Sequence, residues 1–254
     1  MSQKLKSDLI WNYGGLVALS LAGLFFNFAI ARFYGADVLG RFNQLFAFYI
    51  VGSQVAVAGI HHSILRSLAQ SQGDSPLEQG QQLMGGLLLV TGMGTLTSIT
   101  LYLTAPFWSH LLGSPTLTSS LQLLAPAITL FALSKVLLSS LNGLRRMKSF
   151  AVGQSLRYLL FLGGVLCCWL FALEERWLMG SFLFVELILI IYLLVCNWDI
   201  LFFKSSVIHW PILRHHAHFG LRGISSGIML DLNTRVDVLM LGAFLSDYEV
   251  GIYS

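Results

Sequence analysis

Among the charged residues inside, or at the ends of, stretches that are otherwise apolar are Arg66, Lys135, Arg157, Glu186, Arg222, Asp231, Arg235 and Asp237. In a membrane span a charge costs about 3 kcal/mol on insertion scales, so it faces a partner, a cavity or water rather than lipid. The five cations suit the binding of an anionic group. The three carboxylates suit a response to a proton or a cation. The densest group lies in 219–245, which holds Arg222, Asp231, Arg235 and Asp237. Asp231 and Arg235 are four residues apart and would share one face of a continuous helix. That pair reads either as mutual neutralisation on insertion or as a cavity-facing contact for a substrate or ion. Asp237 falls off that face, near Asn233, and reads as a polar helix contact or a cation-responsive group. Lys135 and Arg157 read as partners of Glu186 or as a cationic lining. Arg66 and Arg222 sit near span ends, where a long side chain reaches the headgroups while its stem stays in the apolar layer.

Nothing else has the spacing of a catalytic or metal site. There is no phosphate-binding Gly-rich loop, no HExxH and no convincing nucleophile triad. Cys167, Cys168 and Cys196 fall in apolar segments and read as small apolar filler. His61 and His62, and the group His215, His216 and His218, read as interfacial residues with no second ligand group beside them. No basic stretch carries interleaved aromatics, so nucleic acid is not expected as a partner. No cofactor or metal is expected. A membrane-embedded polymerase tends to present a large catalytic loop, and here no loop exceeds about twenty residues; a non-enzymatic protein is the expectation.

The elements that position these charges follow from composition. Of 254 residues, 56% are hydrophobic and 11% charged, against about 25% charged in soluble domains. Mean hydropathy is +0.73. A soluble protein this apolar could not cover its surface, so the chain reads as an integral membrane protein. Continuous apolar runs occupy 9–34, 42–65, 83–108, 121–141, 150–173, 177–197 and 219–245. Each has the roughly 20 residues that a ~30 Å hydrocarbon core requires. They do not alternate as barrel strands do, and in lipid a lone segment must satisfy its own backbone, so helices are expected. The first run is too long for a cleaved signal. Gly14, Ala18 and Ala22 give it a small face for close helix approach, as do Gly223 and Gly227 in the last run.

The polar connections set the orientation. Those on the N-terminal side hold Lys4, Lys6, Arg66, Arg145, Arg146, Lys148, Lys204 and Arg214, against Arg32, Arg41 and Arg176 opposite. This bias places the N-terminus in the cytoplasm.

The last run also repeats the first. With Gly40 set on Gly251, Phe33 falls on Phe244, Leu39 on Val250 and Phe42 on Tyr253. Both places read as a long span, a short polar turn, an apolar residue, a Gly and an aromatic. Six spans separate the copies, an even number, so they share an orientation, as in the parallel repeats of some transporters. The expected fold is therefore all-α, with seven transmembrane helices. Residues 1–218 form a six-helix lobe, and 219–254 form the first helix of an incomplete second lobe.

The turn GADVLGRFNQLFAF, the segment AGIHHSILRSLAQ and the stretch GLRGISSGIMLDLNTRVDVLMLGAFLSDYEVGIYS resemble the polysaccharide and O-antigen flippases of the multidrug/oligosaccharidyl-lipid/polysaccharide exporter superfamily. Members usually have twelve to fourteen helices in two similar lobes. The resemblance implies translocation of an anionic oligosaccharide, linked to undecaprenyl pyrophosphate, from the cytoplasmic to the outer leaflet of the inner membrane for polysaccharide biosynthesis. It implies a cationic cavity built from Arg66, Lys135, Arg157, Arg222 and Arg235, with Arg222 suited to grip pyrophosphate oxygens in pairs. It leaves Asp231, Asp237 and Glu186 as coupling or ion-responsive groups. The implied partners are the lipid-linked sugar, membrane lipids, a second lobe or a homodimer partner, and glycan-synthesis proteins. Two other readings stand beside it: a cation-coupled small-molecule antiporter of the same superfamily, and a truncated, non-transporting membrane subunit.

Overall fold

The computed structural model describes residues 3–71, 75–201 and 209–254, so Lys204, counted in the charge bias, lies outside the described residues. Its elements are all helical: α1 (Gln3–Tyr34), α2 (Ala36–Val57), α3 (Ile60–Gln70), α4 (Pro76–Leu111), α5 (Leu117–Gly143), α6 (Met147–Leu170), α7 (Glu175–Cys196), α8 (Trp198–Leu201), α9 (Trp210–Asn233), α10 (Val236–Phe244) and α11 (Asp247–Tyr253). Among the described residues, α1, α4, α5, α6 and α7 are each long and apolar enough to cross a membrane. The pair α2 and α3 passes the same test only when taken together, with a bend of 57° between them. The chain is thus an all-α, multi-pass membrane protein. The seventh apolar run is divided between α9 and α10.

Several helix starts differ from the apolar runs, for local reasons. The polar turn expected at 35–41 is reduced to Gly35, whose φ of 91° suits glycine and lets α2 begin at once. The polar segment before residue 83 is largely helical. Ser75 and Glu78 form a reciprocal capping box and Pro76 takes the first helical position, which together satisfy the helix N-terminus. A second box, Ser246 with Glu249, starts α11.

Helices α1, α2, α6 and α7 pack around an aromatic core. Phe26, Phe42, Phe46, Tyr49, Phe161 and Phe182 are buried, with Phe42 stacked on Phe182 at 4.9 Å between ring centroids. In hydrocarbon such packing, rather than water exclusion, drives helix association. The small face of α1 meets α6, though the closest approach is at Gly15, against Ala151, rather than at Gly14. On α9 the close approaches are at Gly220, against the Ala58 carbonyl, and at Gly227, against the Gln54 side chain.

The two glycines aligned in the sequence repeat meet in space. A Cβ on Gly40 would run into the Asp247 carbonyl, and one on Gly251 into the Ala36 carbonyl. Ala36 and Asp247 are themselves equivalent at the same 211-residue offset. The contact between α2 and α11 is therefore two-fold symmetric in its residues. Asp247 reinforces it by accepting from Gln44 at 3.0 Å, Ser114 at 2.8 Å and Arg41 at 3.3 Å. Arg41 also forks onto Glu175 with two bonds of 2.7 Å.

A candidate charged site at the broken helix

The charged residues separate into a sealed group and an open one. In the sealed group, Glu186 of α7 is fully buried. It accepts from Arg157 Nε of α6 at 2.8 Å, from the Ser134 hydroxyl of α5 at 2.8 Å, and from the Tyr49 hydroxyl of α2. Arg157 donates a second bond to Ser134 at 2.6 Å and lies 4.0 Å from the centre of the Phe131 ring. Each polar atom of this carboxylate has a donor, so burial is matched by hydrogen bonds. The group joins four helices, α2, α5, α6 and α7.

The open group is centred on Lys135, seven residues before the α5 end region that carries Asn142. Its ammonium donates to Gln54 Oε1 of α2 at 2.9 Å and lies 3.5 Å from Asp231 of α9. The pairing of Lys135 with Glu186 weighed from sequence is not formed: Arg157 occupies that carboxylate, and Lys135 turns to α9. Side-chain exposure is 17% for Lys135 and 27% for Asp231, against 10% for Arg157 and 0% for Glu186. Gly227 admits Gln54 close to the α9 backbone. At the bend between α2 and α3, the His61 and His62 rings lie 3.9 Å apart.

Asp231 and Arg235 do not share a helix face. The helix stops between them: Thr234 donates its hydroxyl to the Asp231 carbonyl at 2.8 Å, and Arg235, with φ −137°, leaves helical geometry and caps α10. Polar side chains that bond nearby carbonyls compete with the helical ladder in this way. Arg235 instead lies 4.9 Å from the centre of the Phe46 ring, a cation–π contact. Asp237 is exposed in the first turn of α10, where the helix dipole favours an acid. It accepts from the Tyr253 hydroxyl at 3.0 Å. Arg66 lies 5.7 Å from the Phe219 ring centre, and Arg222 is exposed on α9.

The structure thus brings Lys135 and Asp231 together, sets Arg235 a turn beyond them, and buries Arg157 and Glu186 in the bundle interior. Gln54 and the two histidines were missed as site residues. The signal for Gln54 was present: a polar amide in an apolar run needs a partner. Arg41 was read only as part of the charge bias, yet it joins α2, α7 and α11.

Electrostatically, a cation that shares one carboxylate and one amide at the break of a helix can exchange them for an anionic ligand. A cation fixed by a fully bonded buried carboxylate cannot do so without a large penalty.

A family model described as polysaccharide biosynthesis protein matches residues 5–254. No curated protein and no solved structure matches the chain. The match covers both copies of the repeat, the kinked second span and the broken helix, and by it the chain belongs to the polysaccharide biosynthesis protein family, that of the polysaccharide and O-antigen flippases.

Proposed function

We propose that this chain moves a lipid-linked, anionic oligosaccharide from the cytoplasmic to the outer leaflet of the plasma membrane, its N-terminus in the cytoplasm. The observation that carries this reading is Lys135: a cation within an apolar bundle, held at 3.5 Å by an acid from a helix that breaks beside it. Asp231 neutralises Lys135 when no substrate is bound. A diphosphate competes with Asp231 for the Lys135 ammonium, so the cation has an anionic partner both when empty and when loaded. A partner that can be exchanged suits a group that must accept and then release a charged lipid. Residues 219–254 act in this reading as the start of a second lobe, joined to the first through the symmetric contact of Gly40 and Gly251. The protein does no covalent chemistry. The antiporter reading needs a carboxylate free to take a cation, and it fits less well. Glu186 is bonded to Arg157, Asp231 to Lys135 and Asp237 to Tyr253.

The test is complementation of surface polysaccharide in cells lacking the gene. Lys135→Glu in the intact gene abolishes export at normal protein abundance, while Lys135→Arg retains a substantial part. Export at the normal level by Lys135→Glu overturns the proposal.

A further inference from the structure

The three histidines near the start of α9 part company in the fold. His216 turns inward and is fully buried, and its Nδ1 shares a hydrogen bond of 2.8 Å with the Ser63 hydroxyl of α3. Gly220 and Gly227 continue that inner face, against Ala58 and Gln54. His215 and His218 turn outward with Trp210, Pro211 and Arg214, and these five residues line a cavity of about 360 Å³. Their spacing puts them on one side of the helix, where residues three and four apart are neighbours. Among the described residues, neither Arg214 nor His218 has a hydrogen-bond or ion-pair partner. Two acids on neighbouring elements are already engaged, Glu78 in the α4 capping box and Asp199 with Arg146. The cavity therefore offers a guanidinium and two imidazole rings with donors to spare.

The outward face of α9 changes character along its length. Trp210, at the helix start beside the cations, is 73% exposed. Leu221 and Met229 are 67% and 71% exposed, and they lie about 10 Å and about 22 Å beyond Arg214 along the helix axis. Arg222 stands between them, with a stem long enough for its head to reach back toward the cations. An exposed Trp level with cations, followed by apolar side chains, is the profile of a membrane leaflet read from its headgroups to its chains. A soluble anion would engage the cations and leave Trp210, Leu221 and Met229 uncovered. An acidic peptide would likewise match only the first turns.

We infer that the cavity at the start of α9 holds the phosphate of an anionic phospholipid of the surrounding bilayer. Arg214 and the ring N–H groups of His215 and His218 are the donors, and the acyl chains lie beside Leu221. The inference needs only a membrane-spanning chain and stands apart from the site at Lys135. It gives the outward histidines a use that the transport reading leaves them without.

The test is photolabelling of the full chain in phosphatidylcholine nanodiscs that contain a little phosphatidylglycerol with a photoreactive group on its chain near the glycerol. Labelled peptides should map to Trp210–Leu221. Unlabelled phosphatidylglycerol should remove the label, and the same excess of phosphatidylcholine should not. Arg214→Gln should weaken labelling about fivefold, the usual worth of one Arg beside an anionic surface, and Arg214→Lys should keep most of it. Lys6→Gln, which removes an equal charge from an exposed position on α1, should leave it unchanged. Competition by phosphatidylcholine as strong as by phosphatidylglycerol identifies an unselective lipid contact and overturns the inference. An equal fall with Lys6→Gln overturns it too, because the attraction would then belong to the whole basic face and not to the cavity. Displacement by inorganic phosphate at the same concentration assigns the cavity to a soluble anion. Cross-linking of His218→Cys to another polypeptide segment shows that protein covers the cavity. Either result overturns the lipid assignment. The competition arms use the wild-type chain, so they decide the matter even where a variant fails to fold.

Discussion

Two ion pairs in this protein look alike in sequence and differ in everything that surrounds them. Arg157 and Glu186 join α6 to α7 inside the helix bundle, at 2.8 Å, with 10% and 0% of their side chains exposed. Lys135 and Asp231 join α5 to α9 at 3.5 Å, with 17% and 27% exposed. The first pair has Tyr49 and Ser134 as further donors to the carboxylate. The second leans on a helix that ends two residues after its acid, at Asn233. A charge in an apolar run therefore marks a constraint, and its neighbours decide which kind. Donors on every side make it a rivet between helices. One amide and one longer-range acid at a helix break leave the cation open to exchange.

The largest effect that separates them concerns stability. Glu186→Ala leaves the Arg157 guanidinium buried without its carboxylate, which costs about 3–5 kcal/mol. We expect collapse of protein abundance and a lost melting transition in detergent. The double variant Arg157→Met with Glu186→Leu should recover much of the abundance, since an apolar pair of similar volume removes the uncompensated charge. Normal abundance of Glu186→Ala with export lost would break the comparison, because the sealed pair would then be acting in transport.

The next effect concerns the contact between the repeat copies. Asp247 accepts from Arg41, Gln44 and Ser114. Asp247→Ala should loosen α11 by about 1.5–3 kcal/mol, the usual range for bonds to a charged group. Hydrogen exchange across 247–253 reads this directly. Arg41 keeps Glu175 as a partner, so the rest of α2 should remain protected. Exchange that is unchanged would mean the glycine contact alone holds α11.

How much of this could be read from the chain follows from range. The helices, the membrane class and the equivalence of Gly40 with Gly251 are local or periodic signals, and the structure brings the two glycines together. The breaks at Ala58–Gly59 and at Thr234–Arg235 were not read. Ala58 sits at φ 45° and Gly59 at φ 73°, where the Gly220 backbone crosses, and only the tertiary contact explains the strain. The capping boxes, Ser75 with Glu78 and Ser246 with Glu249, are local patterns that were open to reading and were read only as polar segment and turn. The choice of partner was not open to reading. Lys135 finds Asp231 across 96 residues of sequence (231 minus 135), and no spacing rule could prefer that acid to Glu186.

A third test sharpens the exchangeable pair itself. In the flippase reading Asp231 is a stand-in for substrate, so Asp231→Asn should leave Lys135 available and export within a few fold of normal. Its stability cost should stay below the roughly 3–5 kcal/mol expected at Glu186, since Lys135 keeps Gln54 as a partner. An antiporter that loads a cation at this carboxylate would instead lose transport altogether. Measuring export and melting temperature on the same preparation separates the two.

The smallest effect lies at the far end of the same scale. Arg146 and Asp199 form an ion pair between the turn before α6 and α8, with 33% and 54% of their side chains exposed. Arg146 also donates to the Cys196 carbonyl at 2.9 Å. The hydrogen bond from Arg146 holds the Asp199 carboxyl below its ordinary range, against a smaller opposing effect of burial. A carboxylate with a depressed folded value stabilises the protein above its unfolded value, about pH 4. That contribution is lost as pH falls through the lower folded value. Asp199→Asn should therefore change stability by less than about 1 kcal/mol at pH 7, and by nothing measurable once the wild-type carboxyl is protonated. Export at neutral pH should not change. A larger loss would mean that burial alone does not rank these pairs, and that the carbonyl contact of Arg146 ties the end of α7 to the bundle more strongly than its exposure implies.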